Sequence, residues 1–144
     1  MKILIVNGPN LNLLGTRQPE IYGSLSFDQY LETLNAGFPG LDLQYFQSNH
    51  EGEIIDFIQK EGFSAQGLVI NAGGLTHTSV ALADAISAVS ILSIEVHISN
   101  IFTREIFRHH SFLSPVCKGI ISGLGLSGYK FAIDYIIQIQ EHTK

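Results

Sequence analysis

Five short apolar runs recur along the chain, and they constrain its fold more than any other feature of the sequence. The runs are continuous rather than alternating, which is typical of strands buried on both faces of a parallel sheet. They cover residues 3–6, 41–46, 68–70, 91–96 and 116–121. Segments with helical spacing of apolar residues cover residues 27–34, 51–58, 80–88 and 131–139. This order predicts an α/β fold, a five-stranded parallel sheet with helices on both faces, either flavodoxin-like or Rossmann-like.

Length and composition bound the kind of protein. A chain of 144 residues is expected to form one domain, spanning residues 1–144. Charged residues make up 15% of it, against about 25% in an ordinary soluble domain. Disordered chains are rich in charge and poor in apolar residues, and no apolar run approaches the ~20 residues of a membrane span. We therefore expect a globular, non-membrane protein whose missing charge reflects a surface covered by other protein.

The charge balance and the single cysteine indicate partners and compartment. The net charge is −5 and no basic cluster is present, which argues against nucleic-acid binding. Cys117 cannot form an internal disulfide, so we expect a reducing, cytoplasmic compartment and a buried thiol. The apolar run near the N-terminus is shorter than the about 7–15 residues of a signal peptide, so none is expected.

Polar residues follow the predicted strands, where ligands bind in such sheets. Residues 7–10 follow the first strand and residues 71–74 follow the third, while Glu95, His97 and Ser99 lie at the end of the fourth. The three arginines of the chain lie in or near such segments, and arginine suits fixed contacts with oxyanions. These arginines are Arg17, Arg104 and Arg108.

Two patterns suggest cofactors but have simpler interpretations. Residues 123–128 match GxGxxG, but no strand with an acidic residue follows, so we interpret them as a tight strand-to-helix turn. Glu95 and His97 share one strand face, and His109 and His110 are adjacent. Neither pair has the spacing of zinc ligands, so no metal site is expected.

The segment from Gly15 to Gly23 holds Arg17 and Tyr22 and allows two interpretations. It is either a surface loop with an exposed tyrosine, or a loop that supplies a tyrosine base. A tyrosine base near neutral pH requires nearby guanidinium groups to lower its pKa by about three units. The residues alone leave both interpretations open.

Four segments, in order, resemble the type II 3-dehydroquinate dehydratases over nearly the whole chain. The resemblance implies a flavodoxin-like fold and a cofactor-free lyase of the shikimate pathway. It implies anti elimination of water from 3-dehydroquinate through an enolate, giving 3-dehydroshikimate. The segments are residues 7–15 with Arg17, Pro19, Tyr22 and Gly23; residues 71–74 and 76–79; residues 95–100, 104–105 and 107–111; and Gly119 with residues 123–125 and 128–129.

The same resemblance implies a catalytic role for five residues. Tyr22 is similar to the base that takes the C2 proton, and Arg17 to the group that lowers its pKa and holds the closing loop. Asn10, with a water molecule, resembles the group that stabilises the enolate. His97 resembles the acid that protonates the departing C1 hydroxyl, and Glu95 the residue that orients its ring.

Substrate-binding residues and assembly are also implied by the resemblance. Asn71 and the backbone N–H groups of Ile98 and Ser99 resemble the site of the substrate carboxylate. The groups implied to contact the ring hydroxyls are His77, Arg108 and Asp84. Asp84 would reach in from a neighbouring subunit, because members of the family assemble as homo-dodecamers, described as tetramers of trimers. The positions that depart from the common family pattern are Leu75, Ala83 and Phe102.

Two alternative functions remain at this level. One is a non-enzymatic flavodoxin-like module that binds flavin or an anion at the loops after the first and third strands. The other is a degenerate member of the family that is retained for assembly.

Overall fold

The computed structural model describes residues 1–16, 20 and 24–142, and its five described strands form one parallel sheet. They are β1 (Lys2–Asn7), β2 (Asp42–Gln47), β3 (Gly67–Asn71), β4 (Ser93–His97) and β5 (Gly119–Ser122). Their order across the sheet is β2-β1-β3-β4-β5, and each neighbouring pair is parallel. This is the flavodoxin-like order, which confirms the predicted sheet and decides between the two alternatives.

Helices cover both faces of this sheet. In the described part of the chain they are α1 (Phe27–Gly37), α2 (Glu51–Gly62), α3 (Val80–Val89) and α4 (Ser127–His142). Helices α1 and α4 share one apolar core with the sheet, and α2 and α3 share the other. None of these described helices is long and apolar enough to cross a membrane.

Strand β1 shows why the apolar runs are continuous. The side chains of Ile3, Leu4, Ile5 and Val6 are all fully buried. Because side chains alternate along a strand, Ile3 and Ile5 pack under α1 and α4, whereas Leu4 and Val6 pack under α2 and α3. A strand with a helix layer on each face has no solvent-facing positions, so apolar and polar residues do not alternate along its sequence.

The predicted starts of β4 and β5 lie two and three residues before the observed starts. Strand β4 begins at Ser93 rather than at residue 91, and the Ser93 hydroxyl bonds to the carbonyl of Ile91. Strand β5 begins at Gly119, because Ser114–Val116 forms a short 3-10 turn instead. Pro115 lies within that turn and has no N–H to donate to a sheet, so the apolar residues beside it do not extend the strand.

The glycine-rich segment after β5 forms the tight turn that the sequence predicts. Gly123 and Gly125 have φ angles of 87° and 61°, a left-handed region that glycine adopts readily. Their N–H groups donate to the carbonyls of His97 (3.1 Å) and Ile98 (3.0 Å). The turn therefore holds the end of β4 in place before α4 begins.

Candidate active site

A pocket of about 170 Å³ opens at the carboxyl ends of β1, β3 and β4. Three segments supply most of its wall: the turn after β1, the turn after β3, and the chain that leaves β4. Of the sequence-predicted site residues, the structure brings together Asn10, Asn71, His77, His97, Ile98, Ser99 and Arg108 at this pocket. The expectation that ligands bind at the carboxyl ends of the strands therefore located the pocket correctly. Its residues lie up to 98 positions apart in the chain.

The turn after β1 packs closely against the turn after β3. The N–H of Gly8 donates to the Asn71 carbonyl over 2.7 Å, and a Cβ on Gly8 would lie only 2.3 Å from the Ala72 carbonyl oxygen. Asn10 follows in the left-handed region, with φ of 71°, and its N–H donates to Asn49 Oδ1 over 2.9 Å. This close approach brings Asn10 to the same pocket as Asn71.

A buried hydrogen-bond chain orients the Asn71 side chain. Asn71 Nδ2 donates to the Tyr129 hydroxyl over 2.9 Å, and that hydroxyl donates to Asn7 Oδ1 over 2.7 Å. The N–H of Gly73 donates to Asn71 Oδ1 over 3.2 Å. Tyr129 is fully buried, and burial raises its pKa far above the ordinary value, so the phenol stays neutral. The amide of Asn71 is therefore held in one orientation.

Glu95 and His97 form a buried pair on β4. They lie two residues apart and so share a face of the strand, and His97 Nε2 lies 2.7 Å from Glu95 Oε1. Glu95 is completely buried and His97 is 5% exposed. Thr76, Ser111 and Ser114 also donate hydroxyl hydrogen bonds to the Glu95 carboxylate.

These hydrogen bonds decide the protonation of Glu95. Burial alone would raise its pKa, but the hydrogen bonds from His97, Ser114 and Thr76 outweigh burial and lower the pKa to about 2. The carboxylate is therefore ionised and acts only as an acceptor, so His97 Nε2 carries a hydrogen. This leaves Nδ1 as the ring nitrogen that can exchange a proton with a bound molecule.

His77 supplies a second, neutral imidazole. Its Nδ1 lies 2.7 Å from the His110 carbonyl and therefore donates to it, which leaves Nε2 as an acceptor. Burial lowers the pKa of His77 and outweighs the hydrogen bond to the His110 carbonyl, which raises it. Its ring stacks at 18° to the His97 ring, with centroids 6.3 Å apart. The two imidazoles thus face one pocket, and the His77 ring presents its unprotonated Nε2 there.

Two arginines give the pocket a positive wall. Arg108 Nε donates to Glu105 Oε2 over 2.8 Å, and its guanidinium lies 5.2 Å from the Phe107 ring centroid. Arg104 also lines the pocket, and its Nη1 lies 3.5 Å from Ser99 Oγ. Fixed guanidinium groups of this kind suit an anionic or hydroxyl-rich ligand.

Some predicted site residues lie elsewhere. Arg17 and Tyr22 are outside the described residues, so their roles stay predictions. Asp84 is exposed on α3 and does not line the pocket of its own chain.

Cys117 is a half-buried free thiol, and burial raises its pKa to about 12. Residues 1–16, 20 and 24–142 contain no group of three His, Cys, Asp or Glu side chains placed to hold a metal ion.

Sequence reasoning missed several residues that build the site. Arg104 belongs to the third segment that resembles the family but was given no role, although it lines the pocket. The hydroxyl donors to Glu95 come from segments 16 to 19 residues away, so no local spacing identifies them. Tyr129 follows the GxGxxG segment at the start of α4, where a tyrosine in the first helical turn was the available signal.

The fold and the pocket together define an α/β enzyme site, in which a flavodoxin-like sheet places a carboxylate–histidine pair beside amide and guanidinium groups. The model of the family "Dehydroquinase class II" matches residues 1–137. The chain belongs to this family, and it is an enzyme of the lyase class. This confirms the family that the sequence resembles.

Individual relatives agree with the family match. The chain is 54% identical over 138 residues to the 3-dehydroquinate dehydratase of Dinoroseobacter shibae, which covers 94% of this chain and 92% of that protein. The structure of the type II dehydroquinase from Butyrivibrio crossotus superposes with a TM-score of 0.92 and 49% identity, covering 95% of this chain and 97% of that one. The structure of the type II dehydroquinase from Propionibacterium acnes superposes with a TM-score of 0.91 and 40% identity, covering 95% of this chain and 96% of that one.

Proposed function

We propose that the protein removes water from 3-dehydroquinate to give 3-dehydroshikimate, as a step of the shikimate pathway. The observation that carries the proposal is the buried Glu95–His97 pair, whose histidine lines the same pocket as Asn10, Asn71 and Arg108. An acid, amide donors and a cation are the groups that an elimination through an enolate uses. The names of the curated relatives support the choice of substrate.

His97 is the general acid in this proposal. Its Nε2 is bound to the ionised Glu95, so protonated His97 delivers its proton from Nδ1 to the departing C1 hydroxyl. Glu95 orients the ring and stabilises the imidazolium that forms when the acid is recharged. The hydroxyl leaves as water, and His97 becomes neutral with its hydrogen still on Nε2.

Tyr22 is the proposed base, and it takes the C2 proton on the face opposite the leaving hydroxyl. That proton is adjacent to the C3 ketone, so its removal gives an enolate whose oxygen gains negative charge. Asn10, with a water molecule, stabilises this oxygen, and Arg17 lowers the pKa of the Tyr22 phenol. Collapse of the enolate expels the C1 hydroxyl and completes the anti elimination.

Substrate binding uses the remaining pocket groups. The carboxylate is bound by Asn71 and the backbone N–H groups of Ile98 and Ser99. His77 and Arg108 contact the ring hydroxyls. Support comes from the position of all five at one pocket and from the hydrogen-bond chain that fixes Asn71.

We further propose that the chain acts as a homo-oligomer, a dodecamer built of trimers, in which Asp84 of one subunit completes the site of another. Asp84 is exposed on α3 and outside the pocket of its own chain. Exposed apolar side chains lie beside the pocket arginines, among them Phe102, Ile106 and Phe107. An interface there would also account for the low charge content.

The assembly is tested by mass measurement in solution and by mixing two inactive variants. Asp84→Ala and His97→Gln chains, dissociated and reassembled together, should form some sites with an intact His97 and an intact neighbouring Asp84. Recovery of activity is expected. An active monomer, or no recovery from mixed assemblies of full size, would contradict a shared site.

We also propose that residues 1–144 form one catalytic domain and that the protein acts in the cytoplasm. The family match, which runs from residue 1 to residue 137, supports a single unit. The single cysteine supports a reducing compartment.

The reaction is tested by the growth of conjugated-enone absorbance when 3-dehydroquinate is added. Tyr22→Phe and His97→Gln should each lower kcat at least about a hundredfold, the usual contribution of a general acid or base. Their matched controls, Tyr135→Phe and His142→Gln, change residues on α4 and should keep the wild-type rate. Wild-type turnover in Tyr22→Phe would show that the base is wrong, and an inert wild-type protein would favour the binding-module alternative.

A further inference from the structure

Glu95 is surrounded by hydrogen-bond donors from three separate segments. Besides His97, it accepts from Thr76 Oγ1 at 2.5 Å, from Ser111 Oγ at 2.8 Å, and from the hydroxyl of Ser114. Thr76 lies in the turn after β3, and the two serines lie between β4 and β5. We call Thr76, Ser111 and Ser114 the hydroxyl cage.

The hydrogen atoms of this cluster can be assigned one by one. Ser111 Oγ already accepts from the N–H groups of Leu113 and Ser114, each at 3.0 Å, so its own hydrogen is directed to Glu95. Thr76 and Ser114 have one hydroxyl hydrogen each, and both are directed to the same carboxylate. A protonated Glu95 would place an additional hydrogen among donors that need acceptors, so the cluster favours the ionised carboxylate.

We propose that the hydroxyl cage keeps Glu95 ionised, and that its three members are positioning residues for the acid function of His97. This inference rests on the proposed function. Without the cage, the buried carboxylate would take the Nε2 proton of protonated His97. That transfer leaves a neutral carboxylic acid and a neutral ring, whose Nδ1–H is far too weak an acid to protonate a leaving hydroxyl.

Other groups near Glu95 do not replace the cage. The titratable groups that face it from packed elements, within the described ranges, are His97 on its own strand, His77 in the turn after β3 and Cys117 before β5. The Cys117 thiol is protonated at neutral pH, and burial keeps His77 mostly neutral. The arginines at the pocket, Arg104 and Arg108, bond to Ser99 and Glu105 rather than to Glu95.

The test removes hydroxyl groups while keeping side-chain shape. Thr76→Val and Ser114→Ala, singly and together, each delete one donor. Ser111 is left intact because its oxygen also accepts from two backbone N–H groups. Thr76→Ser restores the hydroxyl and should restore wild-type behaviour. Ser93→Ala is the matched control, because Ser93 is a buried hydroxyl on β4 that bonds to the Ile91 carbonyl and not to Glu95.

Two measurements are made on each protein. Carbon-13 NMR follows the Glu95 carboxyl, identified by its loss in Glu95→Gln, between about pH 4 and pH 8. In the wild type and in Ser93→Ala this signal should not titrate. In the double variant it should titrate within the range, because each lost hydroxyl should raise the pKa by about one to two units, from about 2 to between about 4 and 6.

The pH profile of kcat should change in the same direction. The fall in kcat on the acid side should move to higher pH in the double variant, while KM stays close to the wild-type value. An equal loss of kcat at every pH, with no titration of Glu95, would show that the cage is only structural and would overturn the inference. Absence of dehydration by the wild type would instead overturn the proposed function, and the NMR titration would still report on the cage.

Discussion

Replacing Tyr129 with phenylalanine should destabilise the protein much more than the loss of one oxygen atom suggests. The hydroxyl accepts from Asn71 Nδ2 at 2.9 Å and donates to Asn7 Oδ1 at 2.7 Å, and the side chain is fully buried. The phenyl ring would keep its edge contact with Phe27, whose centroid lies 4.9 Å away. The substitution therefore removes two buried hydrogen bonds and little packing.

The magnitude follows from the two groups left without a partner. A buried polar group that loses its hydrogen bond costs about 1–3 kcal/mol. Two such groups predict a decrease of about 2–6 kcal/mol in the free energy of unfolding. Because Asn71 also loses the partner that orients its amide, KM for the substrate should rise more than kcat falls.

Urea unfolding followed by circular dichroism measures the change, at equal chain concentration because assembly adds to stability. The matched control is Tyr45→Phe, which keeps the stack on Phe27 and loses one long contact of 3.4 Å with Asn7. It should cost less than about 1 kcal/mol. A Tyr129→Phe protein within about 0.5 kcal/mol of the wild type would refute the reasoning.

Two further predictions concern acid stability and close packing. The folded pKa of Glu95, about 2, lies below its ordinary 4.5, so Glu95 stabilises the fold above pH 4.5 and this contribution is lost as the pH falls toward 2. Melting temperatures measured from about pH 7 down to pH 2 should therefore fall more steeply for the wild type than for Glu95→Gln, and parallel curves would contradict the low pKa. Gly8→Ala should cost about 1–3 kcal/mol, because its Cβ would collide with the Ala72 carbonyl. Gly37→Ala, whose Cβ meets nothing within 4 Å, is the control, and equal melting temperatures would contradict the close approach.

Much of the fold could be predicted from the sequence because burial on both faces leaves a continuous apolar run. Residues 3–6 in β1 show this most clearly. The starts of β4 and β5 could not be predicted, because apolar residues that pack beside a sheet look like strand residues. Leu92 and Val116, for example, are both half-buried against the apolar cores but lie outside the strands.

The site was predictable where local geometry suffices. Glu95 and His97 share a strand face because side chains alternate along a strand. Asn10 and Asn71 lie at the carboxyl ends of neighbouring strands and therefore line the same pocket. The hydroxyl cage was not predictable, because tertiary packing brings Thr76, Ser111 and Ser114 to Glu95 from other segments. Serine and threonine are also common in loops, so their presence there carries no signal by itself.

The central claim is dehydration of 3-dehydroquinate by anti elimination, and a labelled substrate tests it most directly. The substrate carries deuterium at the C2 position anti to the C1 hydroxyl, and the chelator-treated protein is mixed with it while enone absorbance is recorded. Mass spectrometry then measures the label in the product. The proposed mechanism predicts growth of the enone signal with complete loss of deuterium. Product that retains the label, or no enone at all, would contradict the mechanism.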